Sequence, residues 1–380
     1  MMPHLSLKET LDGCLKRVYT GIIYLLAILC FLSEVFKLYQ LLAAENMIVE
    51  EVIRNYTITS IHFAALVKCL FVRGQVSGEF FKKILRYEEQ IYASQNDQVI
   101  SIYEKVLLAN QNLKSYYLAG IVLTVIFYIT APALRDPYYV EYGNTTVIIP
   151  QLPLSSWTPF DNSYWIAFVW TSCVGAYLSI FFVTTDLTCY SFILFAICQT
   201  KILHHYISNF FWYAKNVRAK LMCSEVESYR VMQKECIIIH QEIINYVKRL
   251  NDSIKYIMIL DFLPSSIQLA GLTFQIITNL NVIQCILLGQ FISTLVARVY
   301  IYCNTAHDLF LESQRISYAW YEIDWTVLPS DVRINMMFSI MRAQKPLRIT
   351  IGDFQKISLE TFLVILKGTY SYMMLLLTAI

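Results

Sequence analysis

The chain has 380 residues, of which 57% are hydrophobic and only 15% are charged. Soluble domains carry about 25% charged residues, so this composition excludes an ordinary soluble enzyme and indicates a membrane protein with several spans. The net charge of +2 gives no reason to expect nucleic acid as a partner, and the positions of the charges along the chain are more informative.

Seven apolar stretches follow one another, and most are long enough to cross the roughly 30 Å hydrocarbon core of a bilayer as a helix. They cover about 20–44, 57–72, 116–134, 164–195, 256–277, 282–303 and 361–380. The second is short and is interrupted by Lys68, and the fourth is longer than a bilayer requires. The sequence therefore predicts an all-α membrane protein with seven transmembrane helices.

Lys and Arg are concentrated before the first span and in the connections after the second, fourth and sixth spans, whereas only Arg54 and Arg135 fall on the opposite side. Basic connections stay in the cytoplasm, so the N-terminus is predicted inside and the C-terminus outside. This orientation disfavours a G-protein-coupled receptor, whose N-terminus is outside. A membrane enzyme or a transporter finds no support either, because the sequence has no metal-binding cluster, nucleophile motif, phosphate loop or internal repeat. We expect no cofactor and no metal.

Two sequons, beginning at Asn55 and Asn144, fall on the predicted outer side and are candidates for N-glycosylation. The longest outer connection, 131–163, holds more than half of the chain's nine prolines. We expect this connection to be ordered but irregular, and to cap a site beneath it.

On the inner side, an apolar stripe at steps of three and four residues precedes the fifth span. Its members are Cys236, Ile239, Ile243, Val247, Leu250, Ile254 and Ile257. The stripe predicts one helix that runs from the cytoplasm into the membrane, and the fourth span is expected to project in the same way. Packing within the subunit and packing against other subunits both remain open for this stripe.

The last stretch begins with polar residues typical of a helix N-terminus, Ser358, Glu360 and Thr361, and then stays apolar to the end. It also carries Gly368, Thr369, Ser371 and Thr378, which a helix facing only lipid would not need. We interpret it as a helix that faces protein or water on one side. An ordinary last span with interhelical packing residues is the alternative.

Several continuous motifs in the second half are similar to those of the insect odorant receptors, which are odorant-gated ion channels. They are Arg342-x-Gln344-Lys345-Pro346-Leu347, Thr350-x-Gly352-x-Phe354, Ser358 to Phe362, Leu366-Lys367, Tyr370 to Tyr372 and, earlier, His240-Gln241 through Leu250 to Phe262-Leu263 and Ser265-Ser266. Ala306-His307 departs from the Gly-Asn that the family often has there. Gustatory receptors usually end with a Gln-Phe that this chain lacks, and the obligate co-receptor is longer, so the chain resembles a ligand-tuned odorant receptor subunit.

This resemblance implies a subunit of a heterotetrameric, ligand-gated, non-selective cation channel that works with the co-receptor and opens for a small volatile organic ligand. It would lie in the plasma membrane, in dendrites of olfactory sensory neurons. Residues 1–335 would form six spans with a pocket in the outer half, and the fourth to sixth helices would extend into a cytoplasmic anchor. Residues 336–380 would form a cytoplasmic segment and the pore-lining seventh helix. A gustatory-type channel of the same superfamily is the alternative.

The resemblance also assigns roles to residues of the last helix. The gate would be Leu375, a ring of which can close a pore by dewetting, with Thr378 and Ala379 at the outer mouth. Lys367 and Glu360 lie seven residues apart on nearly the same helical face, so both are expected in a hydrated inner vestibule. Snorkelling of Lys367 to the inner interface is the alternative.

The resemblance places the ligand pocket among the second, third, fourth and sixth spans. Candidates on plausible helical faces are His62, Leu66, Leu123, Phe127, Thr130, Phe168, Ser172, Ala176, Leu287, Gln290 and Phe291. Each could instead be a packing residue, and His62 could either donate a hydrogen bond to a ligand or be a satisfied structural histidine.

Overall fold

The structure is a computed structural model that describes residues 3–44, 49–134, 138–142, 145–149, 151–160, 163–278 and 282–378. The helices are α1 (Pro3–Ala43), α2 (Val49–Arg73), α3 (Gln75–Ala93), α4 (Asp97–Leu134), α5 (Tyr164–Ser208), α6 (Phe210–Leu221), α7 (Glu225–Thr278), α8 (Val282–Glu322), α9 (Ser330–Ala343) and α10 (Leu359–Thr378). The strands are β1 (Tyr138–Tyr142), β2 (Thr145–Ile149), β3 (Thr350–Ile351) and β4 (Gln355–Lys356), and a 3₁₀ turn covers Trp325–Val327.

Within these described ranges, seven helices are long and apolar enough to cross a membrane. They are α1, α2, α4, α5, α7, α8 and α10, in the order of the seven apolar stretches of the sequence. The predicted all-α architecture with seven spans is confirmed.

Several of these helices are much longer than a bilayer requires, since about 20 residues suffice for one crossing. Helices α5, α7 and α8 have 45, 54 and 41 residues, so the fourth to sixth spans do extend beyond the membrane as predicted. The sequence did not predict that α4 begins at Asp97, well before the third apolar stretch, or that the amphipathic helix α3 precedes it. Both segments are polar, so a search for apolar runs does not detect them.

The apolar stripe of α7 is buried inside this chain. Cys236, Leu250 and Ile254 have no exposed surface, Ile243 has 1%, and all four belong to the main core cluster. The Tyr246 hydroxyl, on the same part of α7, donates to the Phe192 carbonyl of α5 at 3.0 Å. Packing within the subunit therefore covers this stripe, which decides the alternative that the sequence left open.

The outer connection contains an antiparallel hairpin of β1 and β2, in which Tyr138 lies opposite Ile149 and Val140 opposite Val147. The expectation of an irregular segment is wrong for these two strands. Both are rich in β-branched and aromatic residues, which favour strands, whereas the prolines of this connection fall outside them.

The motif before α10 folds as a small hairpin bound to α7. Gly352 connects β3 to β4 with φ of +57°, and its N–H donates to the Lys255 carbonyl at 2.8 Å. Lys255 Nζ donates to Asp353 at 2.6 Å, and this hydrogen bond holds the pKa of the Asp353 carboxyl below its ordinary value. The hairpin therefore fixes the start of α10 against α7.

Helix α10 begins where the sequence predicted. The Thr361 N–H donates to the Ser358 hydroxyl at 3.4 Å, so Ser358 caps the helix. On the α7 side, Gly368 approaches Ser266 closely, since a Cβ at this glycine would lie 3.8 Å from the Ser266 Cβ. The Phe362 ring contacts the Tyr300 ring of α8 at a centroid distance of 5.6 Å. Helix α10 therefore packs on α7 and α8.

Candidate ligand cavity and the ion cluster beside it

A mostly apolar cavity lies between α2, α4, α5 and α8. Pro153 and Leu154 of the outer connection also line it, as expected of a segment that caps a site. Small-molecule sites are concave and are lined mainly by apolar side chains with a few polar groups. The cavity therefore has the lining expected of a site for a small apolar molecule.

Four of the eleven predicted ligand residues line this cavity. They are His62, Ser172, Ala176 and Phe291. The cavity also has lining residues that the sequence did not single out, among them Tyr117, Ile121, Thr124, Val125, Tyr128, Gly175, Ser179, Phe182, Thr294, Leu295 and Arg298.

The other seven predicted residues lie on the same helices but not on the cavity wall. Leu66 packs against a second core cluster, and Leu287 is buried away from the cavity. Leu123 and Thr130 are exposed, and Phe127, Phe168 and Gln290 are half-buried outside the lining. The transmembrane part of α4 is apolar all round, so its sequence pattern cannot distinguish the face toward the cavity from the face toward lipid.

His62 presents a ring to the cavity and is held from behind by a carboxylate. Its Nδ1 lies 2.9 and 3.0 Å from the two carboxylate oxygens of Glu34, on α1. Glu34 has no exposed surface and His62 is 5% exposed. The sequence left open whether His62 is structural or ligand-binding, and this geometry is compatible with both, because only one ring nitrogen bonds to Glu34.

A cluster of four buried charges lies beside the cavity, and we call Lys68, Asp186, Asp261 and Arg298 the ion quartet. Lys68 Nζ forms ion pairs with both carboxylates. Arg298 Nε donates to Asp186 at 2.9 Å, and its Nη2 pairs with Asp261. All four side chains are at most 5% exposed. The two positive and two negative charges balance, so no net charge is buried.

The quartet and the cavity share walls. The Tyr117 hydroxyl donates to Asp186 at 2.8 Å, and the Arg298 guanidinium lies 4.9 Å from the centroid of the Phe182 ring. Tyr117, Phe182 and Arg298 all line the cavity. The quartet therefore joins α2, α5, α7 and α8 at one edge of the cavity, and α4 contributes through Tyr117.

Reasoning from the sequence noted that Lys68 interrupts the second span but missed the quartet. Ionisable residues inside membrane helices are costly and usually pair with one another, so each was a detectable signal. Asp186, Asp261 and Arg298 fall in three different long apolar helices, and their mutual contact appears only in the folded chain.

The residues predicted for the pore lie on an exposed helix. Leu375 is 64% exposed, and Thr378 and Lys367 are also exposed. The Glu360 side chain is 72% exposed and lies 3.6 Å from Lys356 Nζ. Ala379 is outside the described residues. Only 11% of the residues in the apolar part of α10 are buried within the chain. This helix therefore offers most of its surface to something other than its own subunit.

The structure argues against a glycan at Asn55. Its side chain is 1% exposed, and Nδ2 donates to the Ser155 carbonyl at 2.5 Å and to the Glu34 carbonyl at 3.4 Å. The sequon lies inside α2 rather than in a surface loop, so the prediction at Asn55 conflicts with the packing. Asn144 lies outside the described residues.

Comparisons with known proteins agree with this architecture. A sequence profile of the 7tm Odorant receptor family matches residues 48–370. The chain is 24% identical to Odorant receptor 30a of Drosophila melanogaster over 334 residues, which are 85% of this chain and 83% of that protein. It is 31% identical to Odorant receptor 10 of Aedes albopictus over 137 residues, and this match covers 36% of each protein. The match to Odorant receptor 13a of Drosophila melanogaster, at 28% identity, covers 57% of this chain and 55% of that protein.

The fold is also that of a solved structure, the insect olfactory receptor OR5 from Machilis hrabei in complex with eugenol. The two superpose with a TM-score of 0.77 at 14% identity, over 96% of this chain and 90% of that one. At this identity the likeness concerns the fold. The profile match over most of the chain and the matches to curated receptors show that the chain belongs to the insect odorant receptor family.

Proposed function

We propose that this chain is the odorant-binding subunit of a heteromeric, ligand-gated, non-selective cation channel. The observation that carries the proposal is the apolar cavity between α2, α4, α5 and α8 in a chain of this family. A volatile organic molecule can bind in such a cavity, because the cavity offers mainly dispersion contacts and few polar groups.

The exposed α10 supports the second half of the proposal. One helix cannot enclose a pore, so a pore lined by α10 needs several subunits around a common axis. Leu375 would form the gate, with Thr378 and Ala379 at the outer mouth, and Lys367 and Glu360 would face the inner vestibule. The partner subunits would include the family's co-receptor, and the assembly would lie in the plasma membrane of olfactory neuron dendrites, with the N-terminus in the cytoplasm.

Opening requires that the ligand bind the open state more tightly than the closed state. Helices α7 and α8 are well placed for this coupling, because α8 lines the cavity and both helices contact α10. A ligand that changes the position of α8 would then also change the support of α10.

The test is whole-cell current from cells that express this chain with and without a family co-receptor, screened against volatile odorants while G-protein signalling is blocked. We expect a rapid cation current that needs both chains. A response that disappears with the block would show signalling through G proteins and refute the channel. An epitope tag at the N-terminus that antibodies reach without permeabilisation would refute the orientation.

A further inference from the structure

The pair formed by Glu34 and His62 limits which ligands the cavity accepts. The Glu34 carboxylate is fully buried, and in the described residues its side-chain hydrogen-bond partner is His62 Nδ1. The nearby charged side chains of Lys37 and Arg54 instead approach Glu51, each at 4.0 Å. Glu34 thus depends on His62 for compensation of its charge.

The possible proton arrangements of this pair can be enumerated. A buried negative charge with a single hydrogen-bond partner is unfavourable, so we take the pair as a whole to be neutral. Either the carboxylate is ionised and the imidazole carries protons on both nitrogens, or the carboxyl is protonated and donates to Nδ1. In the second arrangement the remaining ring proton must be on Nε2. Nε2 therefore carries a proton in both neutral arrangements.

This N–H is available to a bound molecule. His62 lines the cavity, its Nδ1 edge is turned to Glu34, and Nε2 has no hydrogen-bond partner among the described residues. A donor that faces an apolar cavity without a partner is unfavourable, so a ligand that supplies an acceptor there binds more favourably.

Five serine and threonine hydroxyls of the cavity, in contrast, are already used as donors. Each donates to the helix carbonyl four residues before it, over 2.7 to 3.0 Å. These hydroxyls belong to Thr124, Thr171, Ser172, Ser179 and Thr294. They therefore keep only acceptor capacity toward a ligand.

From this geometry we propose that His62 Nε2–H anchors the ligand, and that the cavity selects small apolar molecules carrying one hydrogen-bond acceptor oxygen, such as ketones, esters or ethers, over hydrocarbons of the same shape. This inference rests on the proposed function, since it concerns the ligand of the same cavity. Glu34 acts as a positioning residue, because it fixes the ring and its protonation without touching the ligand.

The experiment compares isosteric pairs of probes that differ only in the acceptor oxygen. Suitable pairs are acetophenone and α-methylstyrene, anisole and ethylbenzene, and dipentyl ether and undecane, together with the oxygenated and hydrocarbon agonists found in the odorant screen. In the wild-type channel, each oxygenated activator should act at about tenfold lower concentration than its hydrocarbon partner, which corresponds to about 1.4 kcal/mol for one buried hydrogen bond. In His62→Phe this difference should vanish, because the oxygenated probe loses potency and the hydrocarbon does not.

Two further variants make the test robust. His62→Phe leaves Glu34 without compensation, so the channel could fail to reach the surface. Glu34→Leu combined with His62→Phe removes both polar groups and should restore surface expression while keeping the loss of discrimination. Phe63→Leu is the matched control, since Phe63 is the next residue of α2, is 43% exposed and does not line the cavity. It should discriminate between the probes as the wild type does.

The outcomes separate the inference from the function. Equal potency of oxygenated and hydrocarbon partners in the wild type, or agonists that are all hydrocarbons, would overturn the inference while leaving the channel intact. Discrimination that survives in the double variant would do the same. No current with any odorant at normal surface expression would count against the proposed function and, with it, this inference.

Discussion

Replacing Lys68 by leucine should destabilise the folded chain strongly. Lys68 has no exposed surface and forms ion pairs with both Asp186 and Asp261. Without it, two buried carboxylates share the single positive charge of Arg298, which leaves one net negative charge in the bundle. Breaking a buried ion pair by removing one partner costs about 3–5 kcal/mol. That is a loss of more than about a hundredfold in the ratio of folded to unfolded chain.

The same reasoning predicts a rescue. Lys68→Leu combined with Asp261→Leu leaves Arg298 and Asp186, a neutral pair in direct contact at 2.9 Å. Removing a complete buried pair in favour of apolar residues is often neutral or stabilising, so the double variant should recover most of the loss.

Lys114→Leu is the matched control. Lys114 is half-buried on α4 and its Nζ donates to the Ser191 hydroxyl at 3.2 Å, so its loss leaves no carboxylate uncompensated. We expect a cost of about 1 kcal/mol there.

The assay is the thermal midpoint of the detergent-solubilised chain, measured by size-exclusion chromatography after heating. Surface expression in cells is a second readout. We expect the highest thermal midpoint for the wild type, slightly lower midpoints for Lys114→Leu and the double variant, and a much lower midpoint for Lys68→Leu. A Lys68→Leu variant as stable as Lys114→Leu, or a double variant no more stable than Lys68→Leu, would refute the charge-balance argument.

Four further predictions follow from single positions. Gly352→Ala should lower the free energy of unfolding by about 1–3 kcal/mol, because φ is +57° and the added Cβ would lie 2.9 Å from a Phe354 ring carbon. The thermal midpoint measures this loss, and the ligand-evoked current should fall with it. Leu375→Ser should raise the current without ligand if a leucine ring closes the pore. Leu363→Ser should not, although Leu363 is also exposed and lies near the start of the same helix. The cysteine of Lys367→Cys should react with water-soluble thiol reagents applied from the cytoplasmic side. A cysteine that does not react would refute the proposal of a hydrated vestibule. Thr57→Val removes the Asn55 sequon and should leave electrophoretic mobility unchanged, which a faster-migrating product would contradict.

The number and order of the membrane helices could be predicted from the sequence because length and polarity alone determine them. A stretch of about 20 apolar residues has few alternatives to a membrane helix, whatever its partners are. The start of α10 was equally predictable, because capping is local and Ser358 makes its bond to a backbone group three residues away. The stripe of α7 was identified too, but its partner was not, since periodicity indicates that a face is buried and not what covers it.

The cavity wall was only partly predictable for the same reason. On a soluble helix the polar face reveals the buried face by contrast, but on α4 both the lipid-facing and the cavity-facing positions are apolar. Leu123 and Tyr128 are thus equivalent in the sequence, yet Leu123 is 40% exposed and Tyr128 lines the cavity. His62 was identified because a polar residue in an apolar span is informative, whereas its partner Glu34 is on another helix.

The quartet and the cavity together restrict how this bundle can move. Arg298 lies on α8 and contacts Asp261 on α7, and these are the two helices that contact α10. Separating α7 from α8 at this level would break the contact between Arg298 and Asp261, while Arg298 would keep Asp186 and Asp261 would keep Lys68. A hydrogen bond between charged groups contributes about 1.5–3 kcal/mol, which is more than one hydrogen bond to a neutral small ligand supplies. Joint movement of the two helices at the quartet is therefore favoured over their separation. A ligand that occupies the cavity can still tilt α7 and α8 as a unit, and such a tilt is transmitted to α10 through Gly368 and Phe362, where the contacts are close. The quartet thus favours a rigid displacement of α7 and α8 over their separation as the movement that reaches α10.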